Sequence, residues 1–330
     1  MSEELLFANA LKASKAFKLI RNDFSLGLGN AYLIISEDDE AVQSFFRLIG
    51  SAVFCEQKNA CLECPTCLQV LHYNHPDIRF FNQEKVSINA ATMRSYIEEA
   101  YTKPYSDHLL VFIERFDLAQ DKVMNMILKT LEEPPEGVSF FLGAANESKI
   151  LNTIKSRCRK VYLDIFDDEV IMEELQALNV PKEDAAIATT CAEGQLGKAR
   201  RMAQSDTYKE IYNDVSSLLV KLLRSTDIMY YSGILDKYKN NKMEVLNIMS
   251  ILLRDVMVYR TDESLLKDGP IKDNIKEIAA TFSDMAAKQC IVLINNAKAK
   301  ISSPGANSIA IAHGTLTSSS ASLRITPPLK

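Results

Sequence analysis

The chain has 330 residues, 47% apolar and 25% charged, which is ordinary for a globular protein and long enough for two or three well-cored domains. A net charge of −5 weighs against tight autonomous nucleic-acid binding, which draws on a strongly basic surface, but leaves room for a local basic patch used within an assembly. No apolar run approaches the roughly 20 residues a bilayer requires. The acidic start, Met1-Ser2-Glu3-Glu4, lacks the pattern of a secretory signal. Seven cysteines, an odd number with four crowded together, suit a reducing compartment better than a disulfide framework, so a cytoplasmic location is expected.

Residues 1–166 alternate between strand-like and helix-like segments. Apolar runs predict strands at Ala31–Ile35, Ile78–Phe81, Leu109–Ile113, Val138–Leu142 and Lys160–Leu163. Helical stretches separate them at about 39–54, 90–102 and 120–132, the last stopped by Pro134-Pro135. Such alternation indicates an α/β domain with a mostly parallel sheet and helices on both faces. After Asp164 the strand signals stop. Short helices are expected at Asp167–Leu178 and Pro181–Cys191, and another, after Gly194 and Gly197, through Ala203. From about Tyr208 the pattern stays helical: Ile211, Val215, Leu218, Leu219 and Leu222 share one face, and Val245, Ile248, Met249, Leu252 and Val256 another. The predicted parts are an α/β domain (1–166), a small helical lid (167–206), an all-α C-terminal domain (207–313) and a Ser/Thr/Pro-rich tail (314–330) expected to be poorly ordered.

Cys55, Cys61, Cys64 and Cys67 follow the first long helix of the α/β domain. Four thiolates in so short a span can wrap one tetrahedral zinc, and the C-x₂-C spacings suit knuckle turns, one of them stiffened by Pro65. Such a site is structural, because four thiolates leave no open position for catalysis. Two other ligand arrangements remain open. Cys61, Cys64 and Cys67 also fit the start of an iron–sulfur run, although no second cluster motif accompanies them, and His72 or His75 can stand in for a cysteine.

The stretch Leu109–Val161 reads as strand, helix, strand and basic turn. It breaks one local rule: Glu132 and Glu133 end a helix, where the macrodipole disfavours anions. Its Lys129-Thr130-Leu131-Glu132-Glu133-Pro134-Pro135, followed by Ser156-Arg157-Cys158, resembles the bacterial clamp-loader branch of the AAA+ ATPases. The resemblance covers roughly residues 1–205 and is only architectural beyond. It implies an AAA+ parallel-sheet domain with a zinc module inserted at about 55–76, then a lid and a helical collar domain. The module's first cysteine spacing is shorter here than is common in the family.

The family's nucleotide chemistry is missing at four places. A phosphate loop needs glycines to cradle phosphate, a lysine to pair with it and a hydroxyl for magnesium. After Ala31–Ile35 this chain has Ser36-Glu37-Asp38-Asp39-Glu40-Ala41-Val42-Gln43, without Gly or Lys, and four carboxylates are expected to face the triphosphate position. Val42 takes the lysine's place and Gln43 that of the hydroxyl. Where the family carries an acidic pair this chain has Glu114-Arg115; Glu114 retains a potential to bind metal, but Arg115 cannot act as a base. Gly197 stands in for the lid arginine, and Ala144-Ala145 for the sensor hydroxyls. No ATP site is therefore expected, and the pattern resembles the non-hydrolysing delta-prime branch.

Arg157 is the motif residue that survives. By resemblance it is an arginine finger, reaching in trans into a neighbouring subunit's nucleotide site, where an always-charged guanidinium fork matches phosphate oxygens. Taken alone, the tripeptide also reads as a solvated basic turn with Arg157 and Arg159 as ordinary surface residues. The implied partners are a gamma/tau-like ATPase subunit and a delta subunit, with the sliding clamp and primer–template DNA reached through the assembled DNA polymerase III complex. The chain is then not an enzyme by itself. Two other functions remain to be distinguished: an active gamma/tau-like ATPase, and a stand-alone zinc-containing nucleic-acid-binding protein.

Overall fold

A computed structural model describes residues 5–24, 27–221, 233–266 and 270–301. The chain divides into two compact units, Met1–Glu174 with Gly194–Lys198, and Leu175–Glu193 with Ala199–Lys330. The segment expected as a lid contributes to both. The tail expected beyond residue 313, and Leu222 of the predicted helix face, lie outside the described residues.

The first unit is built on five strands: β1 (Ala31–Ile35), β2 (Ile78–Phe81), β3 (Leu109–Ile113), β4 (Val138–Ala144) and β5 (Arg159–Tyr162). All pair in parallel, in the order β2-β3-β4-β1-β5. β1, β3 and β4 read as continuous apolar runs because both faces of the sheet are covered, which removes the in–out alternation of a half-exposed strand. On one face, Tyr32, Phe112 and Phe141 form an aromatic layer, with Tyr32–Phe141 centroids 4.8 Å and Phe112–Phe141 centroids 4.9 Å apart. The helix Asp39–Phe54 joins that layer through Phe46, 4.9 Å from Phe112. The opposite face, with Leu33, Val111, Ile113, Phe140 and Leu142, packs Met93 and Ile127 into a second apolar cluster.

The predicted helix at 120–132 is broken. It runs as Asp121–Met124, a 3₁₀ turn Asn125–Ile127, then Leu128–Glu132. Val123, Met124, Ile127 and Leu131 all stay buried across the break, so the apolar spacing is the same whether the centre is α or 3₁₀. β4 runs two residues beyond the expected strand, and β5 starts and stops one residue early. Two helices before β1, Ala8–Ala13 and Lys15–Phe24, are not anticipated.

The second unit is helical where described. Its long helix Lys242–Thr261 packs against Asp206–Lys221, Pro270–Thr281 and Asp284–Ile301. Val245, Ile248, Leu252 and Val256 are buried together with Ile211, Val215, Ile275 and Ile278, consistent with the 3.6-residue periodicity of the sequence. No described helix is long and apolar enough to cross a membrane.

Candidate functional site

The loops after β1, β3, β4 and β5 gather at the carboxyl end of the sheet, the usual ligand end of a parallel α/β fold. There the structure corrects one expectation: the four carboxylates Glu37–Glu40 do not all stand free to face a triphosphate. Asp38 is buried (4% exposed) and caps two helices at once. One carboxylate oxygen accepts from the Ala41 N–H at 3.2 Å, at the start of Asp39–Phe54, and the other accepts from the Gly197 N–H at 2.7 Å, at the start of Leu196–Ala203. Two helix N-termini converging on one anion make a phosphate-type site, and here the chain's own side chain fills it.

Gly197 is needed for this contact. A Cβ there would sit 2.3 Å from Asp38 Oδ1 and 2.7 Å from Glu40 Cβ, so neither arginine nor any other side chain fits without displacing Asp38. The cleft left among Ser36–Asp38, Leu163–Phe166 and Gly194-Gln195 measures about 140 Å³, below the roughly 300 Å³ at the lower end for small-molecule pockets.

Arg115 closes the neighbouring position. It adopts a left-handed conformation (φ 47°) immediately after Glu114 at the end of β3. Its Nε and Nη2 donate to the two Asp117 oxygens at 3.0 and 3.2 Å, and its Nη1 donates to Asp39 at 3.2 Å. Asp117 in turn accepts from the Ala145 N–H at 3.3 Å. A cation therefore pairs with the acidic loop at this position. Glu114 is 2% exposed, and apart from a weak approach of the Gln43 side chain its carboxylate oxygens have no hydrogen-bond partner among the described residues. Burial pushes its pKa up to about 7, against the pull of the Lys85 and Arg47 charges. Burial thus disfavours the charged form of this carboxyl, which ionises less readily than an exposed one.

The basic turn lies at the other end of the sheet. Register pairs Arg159 with Tyr32 and Tyr162 with Ile35, so Arg157 precedes the amino end of β5, whereas Ser36 follows the carboxyl end of β1. The four residues of β5 alone span on the order of 13 Å. The turn's cations are not equivalent. Arg159 is a structural residue: it pairs with Asp23, which also accepts from Tyr32 Oη at 2.9 Å. Lys160 pairs with Glu147 at 2.7 Å. Arg157 contacts Glu132 and the Thr153 carbonyl, and its side chain remains 32% exposed. Cys158 is buried, and burial raises its thiol to about 12, so it packs and does not react.

The four predicted ligands Cys55, Cys61, Cys64 and Cys67 come together, with all Sγ atoms within 4.8 Å of one another. Cys55–Cys61 and Cys61–Cys67 Sγ distances are 3.6 and 4.0 Å, bracketing the roughly 3.8 Å edge of a tetrahedron with Zn–S near 2.3 Å. Backbone N–H groups of Cys61, Cys64 and Cys67 donate to the Sγ atoms of Cys55, Cys61 and Cys64 at 3.4, 3.4 and 3.5 Å. These donors favour thiolate. Burial would raise Cys55, but the N–H groups of Cys61, Asn59 and Gln57 outweigh it and bring it to about 6; Cys64 is lowered in the same way. Cys67 is raised by its burial. The loop also holds three left-handed residues that are not glycine, Lys58, Ala60 and Leu62, a strained backbone that needs a strong organising contact. Thiol geometry, N–H donors and strain all fit a divalent, thiophilic metal. Neither histidine joins the cluster: His75 is buried, accepts from the Asp77 N–H at 3.2 Å and stacks on Phe54, while His72 is exposed.

Asp38 and Gly197 as a buried pair, and Arg115 as an internal counter-ion, are not evident from the sequence. Only the oddity of an acidic run and an arginine at those motif positions hinted at them.

Comparison with known proteins agrees with this frame. Residues 13–167 match the family described as "DNA polymerase III, delta subunit". The DNA polymerase III subunit delta' of Yersinia pestis is 26% identical over 282 residues, covering 80% of this chain and 82% of that protein. The delta' subunit of Bacillus subtilis is 22% identical, covering 88% and 91%. The DNA polymerase III subunit gamma of Buchnera aphidicola is 25% identical, covering 87% and 88%. Among solved structures, a gamma subunit-related protein of Thermotoga maritima aligns over 93% of this chain and 99% of its own, with 14% identity and a TM-score of 0.44. The chain is thus similar to delta' and gamma subunits of DNA polymerase III. The matches include delta' subunits that align over four fifths or more of this chain.

Proposed function

We propose that this chain is a non-catalytic subunit of the replicative clamp loader, which binds no ATP and lends Arg157 to the nucleotide site of an adjacent ATPase subunit. The observation that carries the reading is the separation of Arg157 from its own pocket. The arginine precedes β5 at the amino end of the sheet, whereas the pocket lies at the carboxyl end, so it has no access to a phosphate bound in its own chain. If a partly exposed guanidinium placed there serves a phosphate, that phosphate is brought to it by another molecule. Fingers of this kind contribute roughly 10³–10⁵ in rate in GTPases, through charge on the phosphoryl oxygens.

The degenerate pocket supports the same reading. Asp38 occupies the anion site, Gly197 excludes a lid arginine, and Arg115 replaces a catalytic carboxylate. These features speak against an active gamma/tau-like ATPase, although gamma and tau subunits are also among the relatives. The four cysteines would hold a structural zinc that fixes the loop between Asp39–Phe54 and Pro65–Leu71. The partners are then a gamma/tau-like ATPase subunit and a delta subunit, with clamp and primed DNA engaged through the complex in the cytoplasm. The proposed lid (167–206) and collar (207–313) join the subunit to its neighbours.

Reconstitution with the ATPase subunit, the delta subunit, clamp and primed DNA tests this. Arg157→Ala is expected to leave assembly intact and to slow hydrolysis at the adjoining site by about a thousandfold, within the range known for fingers. Normal hydrolysis and clamp loading by the mutant complex would remove the finger assignment.

A further inference from the structure

Glu132 and Glu133 end the helix Leu128–Glu132, where the helix dipole opposes a negative charge. The structure supplies a reason for the first of them. Glu132 Oε1 accepts from Arg157 Nε at 2.6 Å and also from Arg157 Nη2. The two residues lie 25 positions apart and come together because Leu128–Glu132 packs against Asn152–Lys155. On its other side the guanidinium is held by Nη1 donating to the Thr153 carbonyl at 2.8 Å.

The donors used matter. A guanidinium has five N–H groups in one plane. Nε–H and one Nη2–H go to Glu132, and one Nη1–H goes to Thr153. The second Nη2–H has no acceptor in these contacts, and the second Nη1–H has only a long 3.5 Å approach to Ser156 Oγ. One edge of the fork is therefore anchored to the chain while its end stays available to an incoming anion.

We infer that Glu132 is a positioning residue for Arg157. Together with the Thr153 carbonyl it fixes the plane and direction of the guanidinium, so that a neighbour's phosphate meets a pre-oriented fork and not a freely rotating side chain. The inference rests on the proposed finger role of Arg157. Pre-orientation reduces the conformational freedom lost when the fork engages. The pair is half-exposed, with side-chain exposures of 32% and 45%, so its effect is modest, on the order of two- to fivefold in rate for a surface ion pair.

The test compares Glu132→Ala, Glu132→Gln, Arg157→Ala and the double variant Glu132→Ala/Arg157→Ala in the reconstituted loader. Single-turnover hydrolysis and equilibrium ATP affinity are both measured. Glu132→Ala is expected to lower the hydrolysis rate about two- to fivefold without changing ATP affinity. Glu132→Gln, which keeps an oxygen acceptor but no charge, should recover part of the loss. The double variant should match Arg157→Ala alone, because Glu132 acts only through the arginine. If Arg157→Ala slows hydrolysis but Glu132→Ala does not, or adds its own loss in the double variant, the positioning role is overturned and the finger stands. If Arg157→Ala itself has no effect, the finger reading fails, and this inference with it.

Discussion

The two ends of the parallel sheet have been treated in opposite ways. At the carboxyl end each position that resembles nucleotide chemistry is turned inward: Asp38 onto two helix N-termini, Arg115 onto Asp39 and Asp117, and Gly197 against Asp38. At the amino end Arg157 stays at the surface, with one edge of its fork anchored. The lesson concerns what a shared frame retains. A phosphate site is made of backbone dipoles, and those survive the loss of the ligand. Unless filled, two converging helix N-termini leave buried N–H groups unpaired, at roughly 1–3 kcal/mol for each such group. Asp38 removes that cost. Arg157 is held by contacts to Glu132 and the Thr153 carbonyl at the surface, whereas Arg159 supplies the ion pair that ties β5 to Asp23.

The contrast can be tested away from the finger. The largest effect is expected at the cysteine loop, which supports the carboxyl-end helix Asp39–Phe54 from its far terminus. Cys67→Ser should abolish metal retention, lose about 3–5 kcal/mol and lower the melting midpoint by roughly 10 °C. Metal analysis and a thermal melt on the same sample check this; full stability with no bound metal would refute a structural zinc.

Glu114 comes next, with an effect that depends on pH. Its folded pKa is raised, from the ordinary 4.5 to about 7, so between those values the unfolded chain releases a proton that the folded chain keeps. Stability therefore falls as pH rises through that window and levels off above it. Relative to Glu114→Gln, the native chain should lose about 3 kcal/mol between pH 4 and pH 8. Chemical denaturation of both proteins at the two pH values measures the difference. A difference that stays flat with pH would show that the carboxyl is solvated or paired.

A smaller loss is expected at Asp38. Its replacement by Ala leaves the Ala41 and Gly197 N–H groups without their acceptor, a cost of about 2 kcal/mol from the lost cap and the buried donors. If the site is a phosphate cradle closed by its own carboxylate, added sulfate or inorganic phosphate should restore part of the stability of Asp38→Ala and none in the native chain. Equal anion effects on both would separate Asp38 from the anion site.

Much of this was legible in the sequence, for identifiable reasons. The strands were readable because a sheet buried on both faces needs uninterrupted runs such as Leu109–Ile113. The helix Asp39–Phe54 was readable to its ends, since a charged N-terminus and one apolar face delimit it. The cysteine cluster was visible because all four ligands lie in one short loop. What stayed hidden depends on distant partners. Asp38 meets Gly197 across 159 positions, and Arg115 meets Asp39 across 76; no local pattern announces such a pairing. Glu132 falls between these cases. Its conflict with the helix dipole was plain, but the cation that resolves it lies beyond the next strand. The helix Lys15–Phe24 carries a readable stripe, Ala16, Phe17 and Ile20, but it stands apart from the strand–helix alternation that organised the rest of the domain.

Equilibrium binding of a labelled, non-hydrolysable ATP analogue to the intact chain tests the closed carboxyl end most directly. A site filled by Asp38 and backed by the Arg115–Asp39 pair predicts no saturable binding up to about millimolar analogue, a standard free energy weaker than about −4 kcal/mol. Saturable binding at micromolar concentration, displaced by unlabelled ATP, would contradict the account and return the chain to the hydrolysing branch.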